Sequence, residues 1–318
     1  MTRAGVGRGR RTLLGWAALV VVYFMWGSTF TAIQVSVRAL PPLLMAGSRF
    51  LVAGLILYAV AGRTGRLSWL RPSWTELRAS GVVGLLLLMG ANGLVCWAEL
   101  RVPSGMAAML IATVPLWMAV IGVGSRRMPS PGPVGWAGVA LGLVGVAVLA
   151  GPGSSGKLEP IYVAALLASA LLWAVGSLYS QVARLPSNFL AAAALEMVIG
   201  GIGLLLFGAA TGEMGQVRWA AVGGGTVLAF SWLIVGGSLL GYTCYVYALR
   251  VLPTNTVATY AYVNPVVALA LGWVILGQGM ALGSLLAAAL ITLGVVLMVS
   301  GPVVARRRTR LRAAPEGG

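Results

Sequence analysis

Six glutamates are the only side-chain carboxylates in the 318 residues; there is no histidine and no aspartate. A Ser-His-Asp relay or an aspartyl dyad therefore cannot be assembled. Metal sites need clustered His, Cys or carboxylate ligands, which are equally scarce. Two cysteines, Cys96 and Cys244, lie in apolar runs 148 positions apart. They read as small core residues or as a redox pair. No nucleophile has a base nearby in sequence, so the chain reads as a non-enzyme without a cofactor. What remains is charge placed inside apolar sequence. Glu196 and Arg49 each fall within such a run. In lipid an ionisable side chain costs about 2.5–3.5 kcal/mol on insertion scales and marks a functional position by default. Glu196 is read either as a proton carrier or counter-ion, or as one half of an ion pair with Arg49. Glu99 shares a polar stripe with Asn92 and Cys96 at helical spacing. It is read as a gate residue or as a solvated helix end beside Arg101.

Aromatic and amide side chains recur on the same faces. Trp26, Phe30 and Gln34 follow i, i+4, i+8 spacing, and so do Trp173, Ser177 and Gln181. Tyr260 and Asn264 share a face, and Tyr242 and Tyr245 are near neighbours. Such groups around a cavity suit flat organic molecules and can hold cations over a ring face. Helix packing is the other reading of the same stripes. Trp69, Trp74, Trp136 and Trp219 fall near the ends of apolar runs and fit an interfacial belt. Pro115 and Pro265 fall mid-run, as hinges or static kinks.

Composition defines the elements that position these groups. The chain is 59% hydrophobic and 9% charged, with a mean hydropathy of +0.94. A soluble domain carries about 25% charged residues, so lipid must be the solvent. Ten runs are long enough to span a bilayer, roughly 13–35, 42–62, 80–100, 103–124, 133–151, 160–182, 187–210, 226–249, 254–277 and 281–303. The net charge of +16 reports topology here rather than nucleic-acid binding. With the N-terminus inside, 17 basic residues fall in cytoplasmic segments and 4 outside. Both termini are therefore expected in the cytoplasm. Lys157 is the only lysine against 21 arginines, a skew that points to a GC-rich bacterial genome.

The chain also repeats itself. WGSTFTAIQ from Trp26 returns as WAVGSLYSQ from Trp173, 147 positions later. Arg101, Pro103 and Pro115 return as Arg250, Pro253 and Pro265, at offsets of 149, 150 and 150. Glu196 and Arg49 are themselves 147 apart. Ten spans make five per copy, and an odd number inverts the second copy. The expected fold is all-α and membrane-embedded: ten transmembrane helices as two inverted five-helix repeats. A basic N-terminus (1–12) precedes the first repeat (13–151). A linker (152–159), the second repeat (160–303) and a basic tail (304–318) follow. The apolar start resembles a cleaved signal, but it contains the repeated WGSTF and is read as the first span.

WGSTF (26–30), PPLLMAGSRF (41–50), NGLVCWAE (92–99), VPSGMAA (102–108), ATVPL (112–116), LLWAVGSLYS (171–180), LEM (195–197) and ATYAYVNPVVA (258–268) together resemble the drug/metabolite transporter superfamily, EamA type. The resemblance covers nearly the whole chain. It implies a secondary transporter of the bacterial inner membrane, usually an exporter of small organic metabolites, amino acids or drugs. The substrate cavity would lie between the halves. The partners implied are a small-molecule substrate, membrane lipid and, for a coupled carrier, protons, with no nucleic acid. Members often carry Gly-Glu after the fourth helix of each repeat; this chain has Gly277-Gln278 and Gly124-Ser125. A passive channel or lipid-scrambling protein is the alternative class.

Overall fold

The computed structural model describes residues 3–64, 72–126, 130–150, 159–279 and 282–313. Most of the expected linker 152–159, the end of the basic tail and Trp69 lie outside the described residues. Among the described residues all regular structure is helical. Eight helices among the described residues are long and apolar enough to cross a membrane, from Arg10–Ser36 to Gly224–Val251. At the ninth and tenth expected spans the apolar helices are shorter, Val263–Leu276 and Leu282–Met298.

The first half comprises α1 (Arg3–Ser36), α2 (Pro42–Thr64), α3 (Trp74–Gly84), α4 (Gly93–Ala98), α5 (Ser104–Ile111), α6 (Val114–Gly124) and α7 (Gly132–Ala150). The second comprises α8 (Pro160–Ser180), α9 (Phe189–Ala210), α10 (Gly224–Trp232), α11 (Thr243–Val251), α12 (Thr254–Val257), α13 (Tyr260–Leu276) and α14 (Leu282–Ala313). Pro42 and Pro160 open their helices, where a missing N–H costs nothing. Ser73 and Glu76 form a reciprocal capping box before α3. Asn188 accepts from the Leu190 N–H at 2.8 Å to cap α9.

Two irregularities occur once in each half. Wide π-helical turns join α3 to α4 (Leu85–Asn92) and α10 to α11 (Leu233–Tyr242). Such turns re-aim side chains within a helix and cluster at functional sites. The other irregularity is a helix break, at Ala112–Thr113 and at Ala258–Thr259. At each, the threonine hydroxyl donates 2.6 Å to a carbonyl three residues back, Leu110 or Thr256. Pro115 sits in the first turn of α6, just past its break. Pro265 lies inside α13, further past the second break. The difference arises because α12 is one turn shorter than α5, so the second break comes earlier in the chain than the proline match implies.

The halves interlock. α1 packs on α10, α11, α13 and the Leu233–Tyr242 turns, while α8 packs on α4, α5, α6 and the Leu85–Asn92 turns. α2 lies along α9, and α7 along α14. Glycine permits both close pairings. A methyl on Gly201 would meet the Leu51 nitrogen at 2.8 Å and the Gly47 oxygen at 2.9 Å. One on Gly294 would meet backbone atoms of Gly138 and Gly142. In lipid, such backbone approach replaces the hydrophobic effect as the source of helix affinity. The cysteines are free thiols, Cys96 buried and Cys244 partly so.

Candidate functional site

The interlocking of α1 and α8 brings the repeated tryptophans together. Trp26 and Trp173 meet edge to face with ring centroids 5.2 Å apart. Tyr260 stands edge-on to Trp26 at 5.2 Å, and Tyr245 lies 4.8 Å away at a tilt. The indole N–H of Trp26 donates to the Gly237 carbonyl at 3.2 Å, inside the second π-helical stretch. That of Trp173 donates to the Tyr245 hydroxyl at 3.2 Å, which also shares a 2.6 Å hydrogen bond with Ser177. Aromatic pairs add about 0.5–1.5 kcal/mol each beyond area burial. The cluster is therefore a rigid wall.

This wall bounds a narrow cavity of about 70 Å³ drawn from both halves. Of the residues singled out in sequence, Trp26, Phe30, Arg49, Asn92, Trp173, Tyr242, Tyr260 and Asn264 line it. Ser177 and Tyr245 stand behind the wall. Thr29 and Ser169 also line it; sequence reading missed them because single hydroxyls in apolar helices carry no periodic signal. Ser169 donates to the Ala91 carbonyl at 2.8 Å, in the first π-helical stretch. With its amide nitrogen turned toward them, Asn264 reaches the carbonyls of Tyr23 and Tyr260 at 3.1 and 3.2 Å.

Arg49 is 3% exposed. Its Nη2 donates to Asn92 Oδ1 at 2.8 Å, and its guanidinium carbon lies 4.3 Å from the Phe50 ring centre. Nε and Nη1 have no partner among the described residues. Glu196 faces elsewhere. Its carboxylate accepts from the Tyr242 hydroxyl at 2.8 Å and lines a second pocket of about 460 Å³ with Gln181, Tyr245 and Arg250. Among the described residues no ion pair joins Glu196 to Arg49. Tyr242 lines both spaces and is the partition between them. Glu99 is 1% exposed and, among the described residues, both its oxygens lack a partner. It is not a solvated helix end, because the chain folds back at once through Arg101 and Val102 onto the Ala98 carbonyl.

The two repeated glutamines differ. Gln34 donates to the Val102 carbonyl at 3.2 Å and accepts from the Ser104 N–H at 2.9 Å. Gln278 donates to Gln34 Oε1, and Ser104 donates to Gln278 Oε1 at 3.1 Å. Gly277, with φ +63°, turns the chain after α13 so that Gln278 faces this cluster. The cluster ties the ends of α1 and α13 to the start of α5. Gln181 is exposed and, among the described residues, donates only back into its own helix, to the Ser177 carbonyl at 3.3 Å. The glutamines lie at opposite ends of the bundle. Gly15 packs on Val251 and Leu252 beside the second pocket, and Gln34 is roughly 28 Å further along α1 at 1.5 Å per residue.

Comparison with known proteins agrees with this two-part architecture. The model of the EamA-like transporter family matches twice, over residues 13–151 and 160–300. The chain is 37% identical over 313 residues to the inner membrane transporter YedA of Escherichia coli (strain K12), covering 94% of this chain and 97% of that one. It is 29% identical over 302 residues to a probable amino-acid metabolite efflux pump of Salmonella typhimurium, covering 90% and 95%. It is 27% identical over 293 residues to the transporter YvbV of Bacillus subtilis, covering 91% and 92%. A crystal structure at 23% identity superposes with a TM-score of 0.66, covering 94% of this chain and 99% of that one, a likeness of fold. The chain belongs to the EamA-like transporter family and is a membrane transporter.

Proposed function

We propose that the chain is a secondary carrier that exports small organic metabolites across the bacterial inner membrane by alternating access. One observation carries this reading: the central cavity is walled by repeat-matched residues, Trp26 and Trp173, that meet from opposite halves. A site at the interface of two repeats is where rocking of one against the other exposes a substrate to each side in turn.

In this reading ten helices form two inverted five-helix repeats, 13–151 and 160–303, with both termini cytoplasmic. The exchange of packing partners supports the pseudo-twofold relation: α1 leans on the third and fourth spans of the second half, and α8 on those of the first. The glutamine asymmetry supports a state closed at the outer end. The Gln34–Ser104–Gln278 cluster latches one mouth, while the pocket at the Gln181 end is open to about 460 Å³. A latched mouth favours a carrier over a permanently open pore. Proton coupling would run through Glu196, which faces the open pocket and touches the partition, Tyr242. The name of the Salmonella relative supports export of amino-acid-sized metabolites.

Extracellular metabolites of cells overexpressing the chain, compared with a deletion strain by untargeted mass spectrometry, test the reading. A compound enriched outside supports export and names the substrate. One depleted outside reverses the direction. An unchanged profile across varied media overturns the carrier reading.

A further inference from the structure

We infer that the central cavity binds a planar organic monoanion, its carboxylate seated on Arg49. This inference rests on the carrier reading and names the charge of its substrate. Arg49 is the one charged side chain among the residues lining the cavity. A guanidinium has five N–H donors and keeps its charge in proteins. Here one bond, to Asn92, is made, while Nε and Nη1 are buried without a partner among the described residues. A buried charge left uncompensated is strongly destabilising. The Glu99 carboxylate lies within electrostatic reach of Arg49 but makes no contact with it among the described residues.

Three other donors nearby are already committed. Both indole N–H groups and the Tyr242 hydroxyl bond to protein atoms. An occupant therefore finds its free ionic partner at Arg49, whose fork geometry matches a carboxylate. One guanidinium balances one negative charge, which selects a monocarboxylate over a doubly charged phosphate. Among the described residues no acid lines the cavity, so the ammonium of a zwitterion has no ionic partner there. Glu196, the acid that could have served a cation, is turned into the other pocket. The rest of the lining is aromatic and apolar, and the narrow space suits a single ring.

The test uses the full-length protein in detergent, with unfolding followed by tryptophan fluorescence. The probes are 3-phenylpropionate, 3-phenylpropylamine, 3-phenylpropanol and phenylalanine, which share a ring and differ in charge. At saturating concentration 3-phenylpropionate is expected to raise Tm by about 3 °C and the other three by less than a third of that. Arg49→Gln is expected to abolish the shift, and Arg49→Lys to restore part of it. The probe series on the unsubstituted protein needs no variant to fold. Equal shifts with amine, alcohol or zwitterion, no shift with any probe, or a full shift in Arg49→Gln would each overturn the inference. The carrier reading stands or falls separately, on the metabolite comparison.

Discussion

The Tyr242 hydroxyl donates to the Glu196 carboxylate at 2.8 Å, and Tyr242 belongs to the walls of both the central cavity and the pocket that holds Glu196. The contact joins α9 to the second π-helical stretch. Among the described residues it is the hydrogen bond that the buried carboxylate accepts, and it places that carboxylate one side chain away from the central cavity. In the carrier reading, a proton on Glu196 and an occupant of the cavity would be linked through this one phenol.

Glu196→Gln keeps the side chain's size and removes its proton chemistry. The expected outcome in proteoliposomes is loss of pH-gradient-driven transport with substrate exchange retained. Equal gradient-driven rates in variant and parent would exclude Glu196 as the coupling group.

Tyr242→Phe leaves the Glu196 carboxylate buried without its donor. An orphaned buried acceptor costs about 1–3 kcal/mol, and more when charged. Tm should fall by at least about 3 °C. A double substitution with Glu196→Gln should recover part of the loss, since the two residues form one coupled unit. Additive losses would show that the contact carries no energy.

In the carrier reading the Gln34–Ser104–Gln278 cluster latches the outer mouth, and Gln278→Ala removes two of its bonds. At about 1 kcal/mol per bond, the population open on that side should rise roughly tenfold or more. Ile33 lies beside Gln34 and lines the cavity. With Cys96 and Cys244 replaced by alanine, a cysteine introduced by Ile33→Cys should react faster with a membrane-impermeant thiol reagent applied from outside. Unchanged labelling would mean that the cluster is packing rather than a gate.

Gly294→Val drives a branched side chain into the backbone of α7. Its Cβ alone would meet Gly138 and Gly142 main-chain atoms, which cannot move aside as a flexible side chain can. The variant should lose monodisperse folded protein in detergent chromatography, while Gly124→Val, where a Cβ meets nothing within 4 Å, should not. Similar yields from both would remove the close α7–α14 approach as a source of stability.

Trp26→Ala deletes the ring that touches Trp173, Tyr245 and Tyr260. Truncating a buried aromatic costs about 3–5 kcal/mol. Transport should be lost with a Tm drop of about 10 °C. Trp26→Phe should keep most stability while losing the bond to Gly237. A stable, fully active Trp26→Ala would remove the tryptophan wall from the mechanism.

Several features could be read before any coordinates. Scarce charge forces the chain into lipid, and the Trp-to-Gln stretch from Trp26, the Arg101, Pro103 pair and the mid-span Pro115, each returning about 150 positions later, point to a doubled unit. The eight-residue aromatic and amide faces placed Trp26, Phe30, Trp173, Tyr260 and Asn264 on helix surfaces that do line or back one cavity. These signals are local. They depend on composition and on spacing within one helix, which sequence preserves.

Partner choice is not local, and only the tertiary structure decided it. Arg49 and Glu196 match in the repeat, yet one bonds Asn92 and the other Tyr242. Gln34 meets Gln278 across 244 positions. Tyr242, the partition, ends a π-helical stretch, and nothing in LIVGGSLLGY announces that widening. The physical reason is the solvent. A helix in water declares its buried side by an apolar stripe. Helices that are apolar all round can take many rotations in lipid at nearly equal solvation energy. Close packing at Gly201 and Gly294, with a few buried hydrogen bonds, then selects the rotation that brings these side chains together.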